Sequence, residues 1–397
     1  MKIDAHVHFT PPALRDDLHL FVEHEPYWGL LLGDVESGHT IQGWATPGRM
    51  IDDMDAAGLD RVVVQAEYRQ HHESCVARND QALDLIRRWP QRIMAFACIQ
   101  PTAGQRALDE LKRCLDGGMC GVGELNPYGQ GHSLTNPDFL RLVEACIDHD
   151  VPLNLHVNEA VGHYYPGKTT TPLRHYYRLA ERYPRLKLIL AHWGGGLFFY
   201  ELMPEVARVL HNVWYDTAAS PRLYPTARIF RVALACVDHR RLLYGSDYPL
   251  LAVPGQKKPS FGPFLRQIDA LELDPAVETA VMGGNAARLL GLLEEEEEEE
   301  ELPEPAPPGR PSRVITELEP ADAERVTPWT SVTLVAELWP QTRDVFERHA
   351  IPWADTPVPR WEPVIQAAAA QAYNPTQQHR LLAELNEAIA TADEETG

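Results

Sequence analysis

Apolar and polar positions in the first 293 residues alternate in a steady rhythm, short apolar runs separated by longer amphipathic stretches. The apolar runs predict strands at Lys2–Phe9, Arg61–Ala66, Ile93–Ile99, Gly121–Leu125, Leu153–His156, Lys187–His192, Val213–Asp216 and Leu242–Asp247. The stretches between them predict helices at Asn79–Trp89, Ala103–Leu115, Pro137–His149, Pro172–Tyr183, Leu197–Leu210 and Tyr224–Cys236. Near-continuous apolar strands alternating with helices imply a parallel sheet, since helices then cover both of its faces. Eight such units predict an α/β chain folded as a (β/α)8 TIM barrel. The rival, an open doubly wound sheet, calls for Gly-x-Gly-x-x-Gly after a strand. Gly194-Gly195-Gly196 lacks that spacing. Thr10 to Gly48 reads as a long irregular connection, and a helix is expected from Pro47 to Ala57, stopped by Gly58.

The rhythm stops after Asn285-Ala286-Ala287-Arg288-Leu289-Leu290. Eight consecutive glutamates, Glu294 to Glu301, lead into Pro303, Pro305, Pro307, Pro308 and Pro311. Like charges repel and prolines favour extended chain, so residues 294–325 read as an acidic, proline-rich linker. Helical spacing returns at Val332, Val335 and Leu338, then at Val345 and Phe346, then at Leu381, Leu382 and Leu385. The expected organisation is a barrel over 1–293, the linker, and a small all-α domain over 326–392. So thin a core invites docking or self-association, as a homodimer or on a protein partner.

Charge narrows the partners. The formal net charge is −21, and −13 without the glutamate run, which argues against nucleic acid and anionic membrane surfaces. No apolar run approaches the ~18 residues that span a bilayer. The first residues carry no signal-peptide pattern, and the six cysteines show no disulfide-like spacing. The expectation is a soluble cytoplasmic protein acting on a small molecule.

Candidate chemistry sits where the apolar runs turn polar. His6 and His8 leave one face of a strand two residues apart, a pairing that suits zinc, iron or manganese. Read at the ends of the other strands, where barrel enzymes carry their reactive groups, the chain offers Glu124, His156, His192 and Asp247. Four histidines and two carboxylates at one end of a barrel point to a metal centre. Asp4 shares the parity of His6, as an orienting carboxylate or as plain interior hydrogen bonding. Lys168, on the loop after the fifth strand, and Arg69, after the second, are candidate anion handles for substrate.

Asp4-Ala5-His6-Val7-His8, Gly123-Glu124, His156, Ala191-His192-Trp193-Gly194-Gly195 and Gly245-Ser246-Asp247-Tyr248-Pro249 together resemble the amidohydrolase superfamily. The likeness is to its amidohydrolase-related branch, which includes aminocarboxymuconate semialdehyde decarboxylase. What the resemblance implies is a barrel holding one divalent ion, usually zinc, with His6, His8, His156 and Asp247. His192 would then act beside the ion. Glu124 stands where some relatives have a metal-touching glutamate, and it is the residue that could recruit a second ion. The implied activity is hydrolysis of an amide, ester or lactone by metal-activated water, whose pKa falls toward ~7. Asp247 would shuttle the proton and His192 would steady the oxyanion. Non-oxidative decarboxylation of an aromatic or unsaturated acid is the enzymatic alternative, with the same ligands. A non-catalytic metalloprotein scaffold acting through the C-terminal module is the alternative of another class.

Residues 327–352 resemble a small helical domain of unknown function found fused to, or beside, redox and metal-repair proteins. A cysteine pair follows in that domain, where this chain has Trp353-Ala354-Asp355-Thr356. What the resemblance leaves is partner binding or dimerisation.

Overall fold

The computed structural model describes residues 1–10, 18–32, 41–162, 165, 167–293, 326–328, 330–353, 362–371, 373 and 375–396. The linker expected over 294–325, and Ala354, Asp355 and Thr356, lie outside them. Chain contacts divide the molecule into two compact units, Met1–Glu297 and Glu298–Gly397.

The first unit is a closed parallel barrel. Its strands are β1 (Ile3–Val7), β2 (Arg61–Gln65), β3 (Ile93–Phe96), β4 (Val122–Leu125), β5 (Leu153–Leu155), β6 (Leu188–Leu190), β7 (Val213–Asp216) and β8 (Leu242–Leu243). They pair in parallel as β1-β2-β3 and as β4 through β8. Two single bridges complete the ring, Ala97 to Val122 between β3 and β4, and Val7 to Tyr248 between the last strand and the first. One apolar cluster draws Ile3, Val63, Phe96, Ile189 and Leu243 from five different strands. Ile3, Ile189 and Leu243 precede His6, His192 and Asp247 on their strands, so apolar packing gives way to polar groups along the chain direction.

Several strands are shorter than their apolar runs. The runs expected to reach His192 and Asp247 leave regular pairing at Leu190 and Leu243. His192, Trp193 and Asp247 take left-handed φ values of 58°, 60° and 63°, which no ladder accommodates. Near β8 the Gly245 N–H donates to the Thr217 hydroxyl instead of to a strand. The helix expected over Leu197–Leu210 divides into Leu197–Leu202 and Pro204–Val209, because Pro204 has no N–H to continue it. The helix expected from Asn79 begins earlier and runs His72–Arg88. The connection after β1 holds two short helices, Leu18–His24 and Pro26–Leu32, and is therefore less irregular than expected. The helix from Pro47 runs to Ala57 as predicted, capped by the Thr46 side chain and ended by Gly58 at φ 66°.

A buried amide braces the outer layer. Asn79 donates to the Cys98 carbonyl and to Glu110, and its own oxygen accepts the Cys98 N–H. Burial opposes ionisation of Glu110, but hydrogen bonds from Arg113 and Asn79 hold its carboxyl below the ordinary 4.5. Its contribution to stability is thus present above pH 4.5 and lost as pH falls through the lower folded value. Glu110→Gln should cost about 1–3 kcal/mol at neutral pH. Denaturant melts should show the deficit shrinking on acidification below pH 4.5.

Among its described residues the second unit has helices at Val332–Leu338, Arg343–Arg348, Val364–Ala370 and Pro375–Thr396, and an antiparallel bridge joins Ser331 to Pro363. Val332, Val335, Phe346, Ile351, Leu381 and Leu385 form its core. Ser331 caps the first helix by accepting the Leu334 N–H.

Candidate metal centre

The polar ends of the strands meet. The Nε2 atoms of His6 and His8 stand 3.2 Å apart, and His8 Nε2 lies 3.1 Å from Asp247 Oδ1. Glu124 lies among the other rings, with Oε1 2.6 Å from His156 Nδ1 and 3.1 Å from His192 Nε2, and Oε2 3.7 Å from His6 Nε2. His156 Nδ1 and His192 Nε2 are 3.2 Å apart. Two overlapping groups, His6–His8–Glu124 and Glu124–His156–His192, thus present donor atoms within 4.8 Å of one another.

The outer sides of the rings decide what the inner sides can be. His6 Nδ1 faces Asp216 Oδ2 at 2.8 Å, His8 Nδ1 the Gln65 carbonyl at 3.1 Å, and His192 Nδ1 the Ala218 carbonyl at 3.0 Å. Carboxylates and carbonyls only accept, so each Nδ1 carries the proton and each inward Nε2 presents a lone pair. His156 is reversed but equivalent. Asn158 Oδ1, fixed by the Thr169 N–H at 2.8 Å, accepts from its Nε2 at 3.3 Å and leaves Nδ1 facing Glu124. Four lone-pair nitrogens and two carboxylates therefore converge with no donor among them. Only positive charge relieves that arrangement, as added protons or as a cation. Imidazole and carboxylate together suit a divalent transition ion, so the residues fit the metal.

Without a cation, protons must serve. Burial disfavours charge on His192, yet its hydrogen bond to Glu124 and the charges of Glu124 and Asp247 raise its pKa to about 9. Burial likewise opposes charge on His6, and Asp216 and Glu124 raise it well above the ordinary value. Glu124, although buried, is held well below the carboxylate range by His156 and His6. Asp247 is lowered against its own burial, chiefly by the His8 hydrogen bond and the charge of His6. Both carboxylates are ionised at neutral pH.

Backbone geometry aims these groups. His192 and Asp247 hold positive φ, a conformation that costs about 1–3 kcal/mol for a non-glycine residue and persists only when its surroundings impose it. Asp216 imposes it at His192 by accepting that residue's backbone N–H at 2.9 Å, together with the Ala218 N–H at 3.0 Å. Asp216 ends β7 and is fully buried. No motif surrounds Asp216 in the sequence, and its place at the end of an apolar run is the signal that points to it. It also takes the orienting role considered for Asp4. Asp4 instead accepts the backbone N–H groups of His6 and Ser246, and burial raises its pKa to about 7. In Asp216→Asn the new NH2 would meet N–H groups on either side. Ion affinity should fall roughly 10–100-fold, read by titration against a competing chelator.

The two expected anion handles are otherwise engaged. Lys168 Nζ pairs with Glu159 at 2.6 Å. Arg69 departs further from expectation. It is buried, pairs with Glu67 at 2.8 Å, and its guanidinium stacks on Trp28 and Phe21 at 4.7 and 5.1 Å. Those rings lie far from it in sequence, so the motif around Arg69 carried no sign of them. Glu67 in turn lies 3.8 Å from His8 Nδ1, so Arg69 reaches the centre through Glu67. An aromatic wall stands beside these groups, with Tyr68 stacked on Trp28 at 5.2 Å and its ring centroid 6.0 Å from that of His156.

A protein-family model described as Amidohydrolase matches residues 3–292. The 5-carboxyvanillate decarboxylase of Sphingomonas paucimobilis is structurally similar, with a TM-score of 0.57 at 17% identity over 73% of this chain and 98% of that one. So is the 2,6-dihydroxybenzoate decarboxylase of Rhizobium, with 0.55 at 19% over 73% and 98%. A dihydroxybenzoic acid decarboxylase from Polaromonas sp. JS666, solved with manganese and the inhibitor 2-nitroresorcinol, gives 0.55 at 18% over 73% and 97%. At such identities the likeness speaks for the barrel itself.

Proposed function

Because this chain belongs to the amidohydrolase family, we propose that it is a divalent-metal-dependent enzyme acting on a small organic substrate, with hydrolysis of an amide, ester or lactone as the first reading. The observation that carries it is the convergence of four lone-pair ring nitrogens and two ionised carboxylates with no donor among them. When bound, the ion would supply a Lewis acid that polarises an oxygen and makes water a better nucleophile. His6, His8, His156 and Asp247 would hold it, with Glu124 at hand for it or for a second ion. Asp247, ionised and 3.1 Å from His8, is the group able to accept a proton and return it to a leaving group. His192, the ring not assigned to the ion, would take up a proton beside Glu124 and then donate it to the charge developing on a substrate oxygen. Lys168 would exchange Glu159 for a substrate carboxylate.

Non-oxidative decarboxylation is the second reading. The names of the similar solved structures favour it, as does the flat wall of Tyr68 and Trp28, suited to a planar acid. Zinc is the first choice of ion and manganese the second, the latter supported by the Polaromonas structure. Among the described residues no helix is long and apolar enough to cross a membrane, and none of the six cysteines is bridged, which supports a cytoplasmic location. The C-terminal helices are proposed to serve self-association or a protein partner.

The test loads the purified chain with zinc or manganese and screens aromatic acids, amides, esters and lactones, scoring hydrolysis and CO2 release separately. Hydrolysis supports the first reading, and CO2 without hydrolysis replaces it with the second. Neither, on a chain shown to carry its ion, would remove the enzymatic reading.

A further inference from the structure

We propose a second metal site, for a borderline divalent ion such as zinc, built from His24, Glu25 and His71 and sharing no residue with the centre described above. A ring nitrogen of each histidine and a carboxylate oxygen of Glu25 lie within 4.8 Å of one another. His24 is the last residue of the helix Leu18–His24, and Glu25 fills the break before Pro26–Leu32. His71 immediately precedes the helix His72–Arg88. The site thus joins the segment after β1 to the segment after β2.

Three features mark it as more than two neighbouring surface histidines. The imidazoles face each other with centroids 4.5 Å apart and planes tilted by 36°. His71 Nε2 donates to the His24 carbonyl at 3.1 Å, which leaves Nδ1 as its lone-pair nitrogen. That is how a metal-bound histidine is usually anchored through its far side. Glu25 is 1% exposed. One of its oxygens accepts the Gln70 N–H at 2.7 Å, while the other is buried with no hydrogen-bond partner among the described residues. A buried carboxylate oxygen left unsatisfied is costly, and a cation beside it removes the cost. Two imidazoles and one carboxylate make a zinc-type donor set with a fourth position open to water. Both histidines are exposed, so the ion can enter from solvent.

The consequence reaches the first site through packing. Trp28, four residues beyond His24, donates its Nε1–H to the Tyr68 carbonyl at 2.9 Å and stacks on the Tyr68 ring. Tyr68 in turn precedes His71 by three residues and faces His156. An ion at His24, Glu25 and His71 would fasten the two segments that build this aromatic wall.

The test is zinc stoichiometry of the full chain by equilibrium dialysis and elemental analysis. The full chain should bind one more ion than the His24→Ala/His71→Ala variant. The His6→Ala/His8→Ala variant should keep that additional ion, so failure at one site is read separately from failure at the other. Glu25→Gln should weaken it at least tenfold, with circular dichroism showing that each variant is folded. Equal ion content in the full chain and the His24→Ala/His71→Ala variant would overturn the proposal. So would an ion lost with the histidine pair but indifferent to Glu25→Gln, which is adventitious binding to exposed imidazoles.

Discussion

Replacing His6 and His8 together with alanine is expected to strip the central ion from the purified chain and abolish turnover. Both residues present Nε2 lone pairs 3.2 Å apart, His6 within β1 and His8 just past its end, and the other side chains of β1 are packed. Removing them deletes half of the converging nitrogens and takes away the rings beside Glu124 and Asp247. The fall in affinity should exceed the roughly 10–100-fold typical of losing a group that only orients a ligand. Ion content per chain after dialysis, beside a circular dichroism spectrum, reads the outcome. An ion retained at wild-type affinity in a folded double variant, with the His24 and His71 site also removed, would exclude this centre. His8→Ala alone guards against misfolding, because His8 is partly exposed whereas His6 is buried and paired to Asp216.

Asp247→Asn should separate chemistry from binding. The amide keeps the size of the carboxylate and one acceptor oxygen, so the site can still hold an ion, more weakly. What it loses is the capacity to take and return a proton, a role worth about 10²–10⁴-fold in rate. The expected result is kcat lowered by that order with KM changed far less, once the metal concentration is raised to saturate the variant. A variant that regains full rate at saturating metal would make Asp247 a ligand only. His192 would then be the remaining candidate for proton transfer.

How far the sequence foretold the structure depends on the range of the forces involved. The eight strands were legible because burial on both faces demands long apolar runs, and such runs stand out. Histidines and carboxylates at the ends of those runs were legible for the same reason, as the first polar residues after apolar ones. Asp216 was not, because its meaning comes from His6 and His192, which only the closed ring brings to it. Strand ends were overestimated at β6 and β8, where site geometry imposes left-handed backbone on residues whose composition suits a strand. The two helices after β1 are only seven residues each, too short for spacing to reveal, and are held by tertiary contacts such as Trp28 on Tyr68.

The bridge from Val7 to Tyr248 has a consequence for the order of events during synthesis. His6 and His8 leave the ribosome well before Asp247, which is among the last barrel residues to appear. The Asp247 N–H donates to the His6 carbonyl and the His8 N–H to the Tyr248 carbonyl, so the two ends meet at the seam itself. A nascent chain lacking its last strand holds its first two imidazoles beside a gap and cannot complete the ligand set. With the proposed ligand set, loading with metal would be an event of the finished barrel, and a chain carrying its ion would have its first and last strands joined.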